Sequence, residues 1–297
     1  MNIAYYPGCT LRTNAKNFES SAMASAKILN INFVEPERWN CCGTVHALVK
    51  DDVMHYLAPI RNLVRVDELK RDEHVDDKRF LTLCAMCYNT LKRANMDALN
   101  DEEKMTKIKD VMENEEIKYS GNVEILHFLE ILKELGWDKI KECIQKPLKN
   151  LKVAPYYGCL LLRPRGMGID DTDHPTIMED LLEVLGAEVI DSPYKQKCCG
   201  SYHTIQLKEV ASDLSYRVLK YSKDAGADII ATACPLCEFN LGARHQSIEE
   251  KYPEFETIPV VYFTQLMSLA LGLDEEANGF EGNNPDPRPL LKERGLL

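Results

Sequence analysis

The sequence predicts an α/β protein built from two duplicated, Rossmann-like halves, each with a mostly parallel sheet. Three short motifs occur twice in the same order, and strand-like apolar segments alternate with amphipathic helical segments in both halves. The alternation favours parallel strands, because each return from one strand to the next uses a helix. With 297 residues, 45% of them hydrophobic, the chain has the size of one large domain or of two domains of about 150 residues.

The repeat consists of three pairs of matching motifs. AYYPGC at 4–9 matches APYYGC at 154–159, NCCGTVH at 40–46 matches KCCGSYH at 197–203, and TLCAMCYNTL at 82–91 matches TACPLCEFNL at 232–241. The first and third pairs are 150 positions apart, whereas the second pair is 157 apart. We interpret the three matches as a duplication in which the second half has gained seven residues, around 163–173.

The predicted elements follow the same order in the two halves. In the first half they are a strand at 3–6, a helix at 22–29, a strand at 31–34, a helix from about 45 to 69 and a strand at 80–83. In the second half they are a strand at 153–157, a helix between 173 and 186, a strand at 188–190, a helix between 205 and 226 and a strand at 228–232. A strand and a helix then close each half, at 123–135 and 260–271.

Two segments fall outside this pattern. Residues 101–120 are rich in Lys and Glu and are predicted to form a solvated excursion. The residues from 274 to the end are rich in Pro, Asn and Gly, which predicts an extended tail of the kind that lies across a partner subunit. The resulting division is a first domain at 1–150, a second domain at 151–273 and a tail at 274–297.

Charge and hydropathy exclude two classes of partner. The net charge is −11 and no basic stripe is present, so we expect no nucleic-acid binding. We see no secretory leader, and the longest apolar stretch, 258–273, is about 16 residues long and contains Thr264 and Gln265, which is too short and too polar for a membrane span. We therefore expect a cytoplasmic protein, whose eleven cysteines serve as metal ligands or redox thiols rather than as disulfides.

Ten of the eleven cysteines form two sets of five at equivalent positions. Each set follows the ends of three predicted strands, and the carboxyl ends of parallel strands meet at one edge of a sheet. We therefore expect each set to converge on one rim, where helix N-termini favour thiolates and an anionic cluster. The first set is Cys9, Cys41, Cys42, Cys84 and Cys87, and the second set is Cys159, Cys198, Cys199, Cys234 and Cys237.

Three kinds of site use cysteines in this way. A single C-x-x-C motif is typical of thiol–disulfide exchange, but here each copy has three further cysteines. Structural zinc needs four thiolates, so five in each half leave one over, although zinc in one half stays open. Iron–sulfur clusters usually take thiolate ligands. A cubane four-iron cluster also needs only four, so a set of five indicates an unusual cluster or one thiolate that is not a ligand.

The complete cysteine pattern resembles a known family. The patterns Cys9-x31-Cys41-Cys42-Gly43-x40-Cys84-x-x-Cys87 and Cys159-x38-Cys198-Cys199-Gly200-x33-Cys234-Pro235-x-Cys237 are similar to those of the tandem cysteine-rich CCG domains, in particular of the B-subunit family of the heterodisulfide reductases of methanogenic archaea. The resemblance covers residues 1–272. The first half departs from the second in having Ala85 in place of Pro235, and its spacing from Cys42 to Cys84 is longer by seven.

The resemblance implies a function for the cysteines. It implies two non-cubane [4Fe-4S] clusters, each held by all five cysteines of one half and facing one another across a pseudo-two-fold axis. It also implies an oxidoreductase of methanogenesis that reduces the mixed disulfide of coenzyme M and coenzyme B to two thiols. Since this reduction takes two electrons, one cluster on each side of the disulfide would supply one electron each.

Motifs that are missing from the sequence point to partners. No C-x2-C-x2-C-x3-C-P run and no G-x-G-x-x-G fingerprint are present, so we expect no ferredoxin-type cluster, flavin or NAD in this chain. Electrons then arrive from another polypeptide. The resemblance implies the ferredoxin-like C subunit and the flavin-bearing A subunit of a heterodisulfide reductase, with a hydrogenase or a formate dehydrogenase beyond them.

A few further residues are candidates for catalysis and substrate binding. His46 and His203 occupy equivalent positions, four residues after the second cysteine of each pair, which suits either a proton donor to a leaving thiolate or a structural hydrogen bond. Arg12, Arg163 and Arg165 follow the first cysteine of each half and suit the anionic groups of the implied substrate, although surface arginines are common.

Other functions remain open from the sequence. The chain is also compatible with an iron–sulfur subunit of a lactate or glycolate oxidase, with a subunit of a thiol-driven fumarate reductase, or with an electron-transfer subunit that has no substrate of its own. The fused ferredoxin module usual in the corresponding subunits of glycolate oxidase and fumarate reductase is absent from this sequence. Cys143 lies outside both repeats and is interpreted as an incidental thiol.

Overall fold

The computed structural model describes residues 1–44 and 53–297 and contains two four-stranded sheets, one in each half. The first half consists of β1 (Asn2–Tyr6), α1 (Gly8–Leu11), α2 (Lys16–Ile28), β2 (Asn32–Val34), α3 (Met54–Arg71), β3 (Arg79–Thr82), α4 (Ala85–Leu99), α5 (Glu102–Val111), β4 (Glu124–His127), α6 (Phe128–Leu135) and α7 (Trp137–Glu142). The second half consists of β5 (Lys152–Tyr156), α8 (Ile177–Val184), β6 (Glu188–Val189), α9 (Lys208–Asp224), β7 (Ile229–Thr232), α10 (Pro235–Glu238), α11 (His245–Lys251), β8 (Val260–Tyr262) and α12 (Phe263–Ala270).

The two sheets have the same topology. The strand order is β2-β1-β3-β4 in the first sheet and β6-β5-β7-β8 in the second, and all six pairings are parallel. The central strands are buried along nearly their whole length, as expected for parallel sheets with helices on both faces. The α/β fold with two duplicated halves is therefore confirmed. Within residues 1–44 and 53–297 the two sheets share no strand, and the domain boundary near residue 150 stays a prediction.

The two halves pack reciprocally. Helix α2 of the first half lies against α12 of the second, and α8 of the second half lies against α6 of the first. The rings of Phe18 and Tyr262 stack at a centroid distance of 4.1 Å, and the hydroxyls of Ser21 and Thr264 are 2.7 Å apart in the buried interface. The helix before the second strand of each half thus packs on the helix that follows the last strand of the other half, as the predicted pseudo-two-fold relation requires.

The seven-residue insertion lies where the repeat offset predicts it. It lengthens the loop between β5 and α8, and this loop packs on α4 of the first half. Asn89 donates its side-chain amide to the carbonyls of Leu160, at 2.8 Å, and Arg163, at 2.6 Å. Tyr88 donates its hydroxyl to the carbonyl of Met167 at 2.9 Å. The insertion therefore attaches the second half to the first.

Two local predictions are corrected, and a third is observed in part. Helix α2 begins at Lys16, six residues earlier than predicted. Its first turn consists mostly of polar residues, so the sequence pattern did not reveal that Phe18 within it is buried. Residues 101–120 contain a helix, α5, which Asp101 caps by accepting from the backbone N–H of Lys104 and which buries Ile108. The predicted helix from 45 to 69 is observed as α3, and its predicted positions 45–52 lie outside the described residues.

The prediction of an extended tail at 274–297 is wrong. This segment forms two short helices, α13 (Glu275–Asn278) and α14 (Arg288–Glu293), and buries Phe280 and Leu291. The side chain of Asn283 accepts hydrogen bonds from Asn17 of α2, at 3.2 Å, and from Gln265 of α12, at 2.8 Å. The asparagine content of this segment led to the prediction of an extended tail, but Asn283 instead forms hydrogen bonds with buried polar groups. Because its partners lie on α2 and α12, the segment holds the two halves together.

The described residues include no helix that is long and apolar enough to cross a bilayer.

Candidate functional site

Five thiols of the first half meet at the carboxyl edge of its sheet. Cys9 lies on α1 directly after β1, the pair Cys41 and Cys42 follows β2, and Cys84 and Cys87 begin α4 after β3. The Sγ atoms of Cys9 and Cys41 are 3.9 Å apart, and those of Cys42 and Cys87 are 3.7 Å apart. All five are free thiols. Three loops from three strands therefore bring the first set together.

The second half repeats this arrangement. The Sγ atoms of Cys199 and Cys237 are 3.5 Å apart, at the positions equivalent to Cys42 and Cys87 of the first half. The neighbouring Cys198 raises the pKa of Cys159, and the neighbouring Cys237 lowers the pKa of Cys234. The backbone N–H of Gly200 donates to Cys198 Sγ at 3.3 Å. The expected convergence of the second set on one rim is thus observed as well.

The glycine before the first cysteine is required by the sulfur atoms in both halves. Gly8 and Gly158 have left-handed backbones, with φ of +72° and +66°. A Cβ atom would lie 3.1 Å from Cys87 Sγ at position 8 and 3.2 Å from Cys237 Sγ at position 158. A side chain would therefore be strained and would crowd the thiol, which explains why glycine stands at both positions.

A tyrosine of the first strand in each half anchors the cysteine pair. Tyr6 donates its hydroxyl to the carbonyl of Asn40 at 2.9 Å, and Tyr156 donates to the carbonyl of Lys197 at 2.7 Å. Each acceptor directly precedes the cysteine pair. Both tyrosines are buried, so they pack behind the rim and do not form an aromatic wall beside a substrate.

The two sets of thiols meet across the interface between the halves. Cys84 and Cys234 are both buried, and the neighbouring Cys234 raises the pKa of Cys84. The backbone N–H of Ala85 donates to the carbonyl of Ala233 at 3.2 Å, which joins the two C-x-x-C loops directly. The N-termini of α4 and α10 both begin here and contribute partial positive charge. The ten cysteines therefore form one continuous site in two parts.

Neighbouring thiols influence one another's ionisation. The hydrogen bond between Cys41 and Cys42 raises the pKa of Cys41 and, together with Cys87, lowers the pKa of Cys42. The hydrogen bond between Cys159 and Cys198 raises the pKa of Cys159 and lowers that of Cys198. One thiolate thus disfavours the next, and a positively charged group among the sulfurs would favour the ionisation of a whole set.

The donor set fits a thiolate-bound metal group, because iron and zinc both provide that positive charge. All five donors of each half are sulfur atoms, which suits iron–sulfur clusters. Among the described residues, no group of three or more His, Cys, Asp or Glu side chains is arranged to hold a single metal ion. The choice of metal therefore rests on the chemistry and number of the thiols.

The two predicted histidines have different outcomes. His203 lies half-buried in a short 3-10 turn, Ser201–His203, directly after the second cysteine pair. Its backbone N–H donates to the carbonyl of Gly200 at 2.8 Å, so the turn fixes its position beside the pair. His46 lies outside the described residues. The role of both side chains stays a prediction.

The predicted arginines also differ in their surroundings. Arg12 forms an ion pair with Glu19 at 3.1 Å, and Arg165 forms one with Asp173 at 2.5 Å. Within residues 1–44 and 53–297, Arg163 forms no ion pair, and its side chain is on an exposed part of the inserted loop. Of the three, Arg163 is the one whose guanidinium is available to an anionic ligand.

Sequence reasoning missed Tyr202, which lies beside the second set of thiols. It is 40% exposed, and burial raises its pKa to about 12, helped by the negative charges of Cys159 and Cys198. The position equivalent to Tyr202 in the first half is Val45. The two motifs were matched for their shared residues, so a residue that differs between the copies gave no signal.

His127 was also missed. It ends β4, is fully buried, and its Nε2 atom lies 2.7 Å from the carbonyl oxygen of Leu83, next to the first C-x-x-C loop. Burial lowers the pKa of His127 to about 4, so the imidazole is neutral near pH 7. The only signal in the sequence was its place at the end of the closing strand, equivalent to Tyr262 in the second half.

Comparisons with known proteins place these features in context. The model of the CCG cysteine-rich domain family matches residues 3–92 and 153–242. The chain is 31% identical to the B subunit of the ferredoxin:CoB-CoM heterodisulfide reductase of Methanosarcina mazei, over 95% of this chain and 93% of that protein. It is 29% identical to the 8-methylmenaquinol:fumarate reductase membrane anchor subunit of Wolinella succinogenes, over 97% and 98% of the two chains.

A solved structure supports the fold. A hypothetical protein from Helicobacter pylori superposes with a TM-score of 0.75 at 11% sequence identity. The match covers 95% of this chain and 51% of that one. At this identity the likeness shows the fold alone.

Proposed function

This chain belongs to the family of CCG cysteine-rich domain proteins, and on that premise we propose that it is the disulfide-reducing subunit of a redox complex. Its substrate would be the heterodisulfide of coenzyme M and coenzyme B, as in the reductases to whose B subunits it is similar. The S–S bond breaks, two electrons and two protons are taken up, and two thiols leave. The place of this reaction is the energy metabolism of methanogenesis.

The observation that carries the proposal is the contact between the two sets of thiols. The backbone N–H of Ala85 donates to the carbonyl of Ala233 at 3.2 Å and joins the C-x-x-C loops of the two halves, so groups held by the two sets would lie side by side. The residues proposed to hold two non-cubane [4Fe-4S] clusters are Cys9, Cys41, Cys42, Cys84 and Cys87 for one, and Cys159, Cys198, Cys199, Cys234 and Cys237 for the other. When bound, the clusters would supply the two electrons, one each.

The remaining groups would bind the substrate and supply protons. His203, and His46 in the first half, are proposed to donate a proton to each departing thiolate. Arg163 would bind a phosphate, sulfonate or carboxylate of the substrate, because its guanidinium has no carboxylate partner in the described part of the chain. Arg12 and Arg165 would join it only by giving up their present ion pairs.

The proposal includes partners and location. Electrons would enter from a ferredoxin-like C subunit that is docked on a flavin-bearing A subunit, with a hydrogenase or formate dehydrogenase beyond, in an electron-bifurcating complex. We propose a cytoplasmic location for this assembly. Domain limits at 1–150 and 151–273 remain part of the proposal.

A second function is favoured by one specific finding, the full-length similarity to the membrane anchor subunit of a fumarate reductase, with nearly the same identity. In that case the chain would pass electrons between a donor and a separate reductase polypeptide, and would bind no disulfide. An iron–sulfur subunit of a lactate or glycolate oxidase is the same kind of alternative.

The experiment that tests these functions is anaerobic purification of the chain with its native partners. Iron, sulfide and zinc are measured, and then coenzyme M–coenzyme B disulfide and fumarate are offered with a reduced viologen dye. We expect about eight iron atoms per chain, as two four-iron clusters require, and release of two thiols per disulfide. Reduction of fumarate with an inert disulfide would establish the second function, and zinc in both sets would refute the cluster assignment.

A further inference from the structure

A chain of hydrogen bonds ends on one sulfur of the second set. Arg244 donates from a terminal nitrogen to the hydroxyl of Thr204 at 2.7 Å. That hydroxyl donates to the side-chain carbonyl of Asn240 at 2.6 Å. The amide nitrogen of Asn240 then donates to Cys199, to its carbonyl at 3.2 Å and to its Sγ at 3.6 Å. We call these three side chains, Arg244, Thr204 and Asn240, the sulfur relay.

The relay is a fixed part of the fold. Asn240 is buried in a π-helical turn, Phe239–Ala243, which continues α10 and leads to Arg244. Such wide turns often occur where a helix adapts to a functional site. Arg244 is held a second time by the carbonyl of Thr204 at 3.2 Å. The part of the chain that the structure describes provides no carboxylate for Arg244, so its positive charge is not neutralised there.

The first half has no such relay. The residues at the equivalent positions are Ala47, Thr90 and Ala94, of which the first lies outside the described residues. Thr90 donates its hydroxyl to the carbonyl of Met86 in its own helix at 2.9 Å. Ala94, at the position of Arg244, has an uncharged side chain. The two sets of thiols therefore have the same donors but different surroundings.

The first half has a local contact in place of the relay. The hydroxyl of Thr44 lies 3.2 Å from Cys42 Sγ, the sulfur equivalent to that of Cys199. This contact comes from a neighbouring residue of the same loop. A neutral hydroxyl thus faces one sulfur, whereas an amide polarised by a guanidinium faces the other.

We infer that Asn240 is a positioning residue that raises the reduction potential of the second cluster above that of the first. This inference rests on the proposed function, since it needs a cluster in each set. Adding one electron to a cluster adds one negative charge to its sulfur ligands. Hydrogen bonds to ligand sulfur and nearby positive charge stabilise that charge, and each bond of the relay polarises the next. An electron shared by the two clusters therefore resides mainly on the second.

The test replaces relay residues by their first-half counterparts, Asn240→Thr and Arg244→Ala, in the anaerobically purified complex. Midpoint potentials of the two clusters are measured by redox titration with electron paramagnetic resonance detection. For Asn240→Thr we expect the midpoint potential of one cluster, the one that we assign to the second set, to fall by about 59 mV. For one electron this is about a tenfold change in the equilibrium constant of reduction. The potential of the other cluster stays unchanged. Arg244→Ala, which leaves the amide in place, lowers the same potential by less.

Two first-half variants serve as controls. Thr90→Val removes a hydroxyl that bonds its own helix, and both potentials remain at the wild-type values. Thr44→Val lowers only the potential that Asn240→Thr leaves unchanged. Because Asn240 is buried, its replacement could disturb the fold, so the iron content of each variant is measured. If Asn240→Thr loses a cluster, the potentials of Arg244→Ala, a change at a half-buried residue, test the inference instead.

The outcomes separate the inference from the proposed function. If both clusters assemble and neither relay variant moves a potential, the inference is wrong and the proposed function stands. The inference is also wrong if the wild-type potentials are equal. If the wild-type protein contains no iron–sulfur cluster, the proposed function fails and the inference fails with it.

Discussion

The first and second halves agree in everything that gathers the thiols and differ in what surrounds them. Gly8 and Gly158 adopt the same left-handed backbone against a sulfur, and Tyr6 and Tyr156 anchor the same loop. Around this shared frame, Cys9 and Cys41 are exposed, whereas their counterparts in the second half are partly buried. After the duplication, both halves kept the same five cysteines, but the residues around them changed. The two parts of the site therefore offer the same thiol ligands in different electrostatic environments.

The interface shows the same division. His127 and Tyr262 end equivalent strands and begin equivalent helices, yet one is a neutral imidazole at the first C-x-x-C loop and the other a phenol stacked on Phe18. Neither residue changes the path of the backbone. The difference between them indicates that the second half has specialised in contacts with α2, whereas the first half has specialised in contacts with the neighbouring cysteine loop.

The largest expected effect tests whether both halves take part in the reaction. Cys42→Ser and Cys199→Ser each replace one buried thiol at equivalent positions. If each half supplies one electron, each variant loses disulfide reduction by at least about 100-fold, since even changes beyond the direct ligands cost 10–100-fold. Thiol release from the heterodisulfide is the measurement. Retained activity in either variant would show that its half has another role.

The next largest effect is expected at the two glycines, and it tests whether each one is needed to hold the cluster of its own half. Gly8→Ala and Gly158→Ala force a left-handed alanine and place Cβ against Cys87 or Cys237. We expect each variant to lose about half of its iron, from its own half, because the crowded thiol leaves its position. Iron and sulfide per chain, together with resonance spectra, measure this. Equal loss of both clusters from a single variant would mean that the sets assemble as one unit.

A smaller effect concerns the interface. Phe18→Ala removes a fully buried ring that stacks on Tyr262, and we expect a loss of about 3–5 kcal/mol in the free energy of unfolding. Met23→Ala on the same helix is the control, because Met23 is 38% exposed and should cost less than about 1 kcal/mol. Urea unfolding under anaerobic conditions compares the two. Similar losses would mean that α2 contributes little to joining the halves.

The smallest effect is expected at the two tyrosines that anchor the cysteine pairs. Tyr6→Phe and Tyr156→Phe each remove one hydrogen bond to the residue before a cysteine pair. We expect each to cost about 1 kcal/mol, or a fall of about 2 °C in the melting temperature, and to leave both reduction potentials unchanged. A much larger fall for one tyrosine than for the other would break the equivalence of the two anchors.

The sequence was sufficient to predict the duplicated α/β fold, the family, and the convergence of each set of cysteines. These follow from motifs at fixed offsets and from the rule that parallel strands present their carboxyl ends at one edge. That the two sets face one another was implied only by the family resemblance, because spacing along one chain does not give the packing of one half on the other, and the bond between Ala85 and Ala233 that joins their loops was not predicted. Asn240 escaped attention because the two copies differ there.

One misinterpretation and one prediction that stays open have the same physical origin. Asn283 was assigned to a tail because asparagine is common in loops, but its amide is satisfied inside the protein by Asn17 and Gln265. Arg12 was considered for substrate binding because arginine suits anions, but it already has an ion pair with Glu19. In both cases the residue type was compatible with several partners, and only the tertiary structure determines which partner is nearest.

The fastening of α2 by residues 275–297 has a consequence for protein synthesis. Asn17 and Asn283, which bond to one another, are separated by 266 positions in the chain. At a translation rate of 5–20 residues per second, roughly 15–50 s pass between their exits from the ribosome. During that interval the apolar face of α2 has neither α12 nor the final helices to cover it. The nascent first half must therefore remain soluble with this face open until residues 275–297 have been made and can cover it.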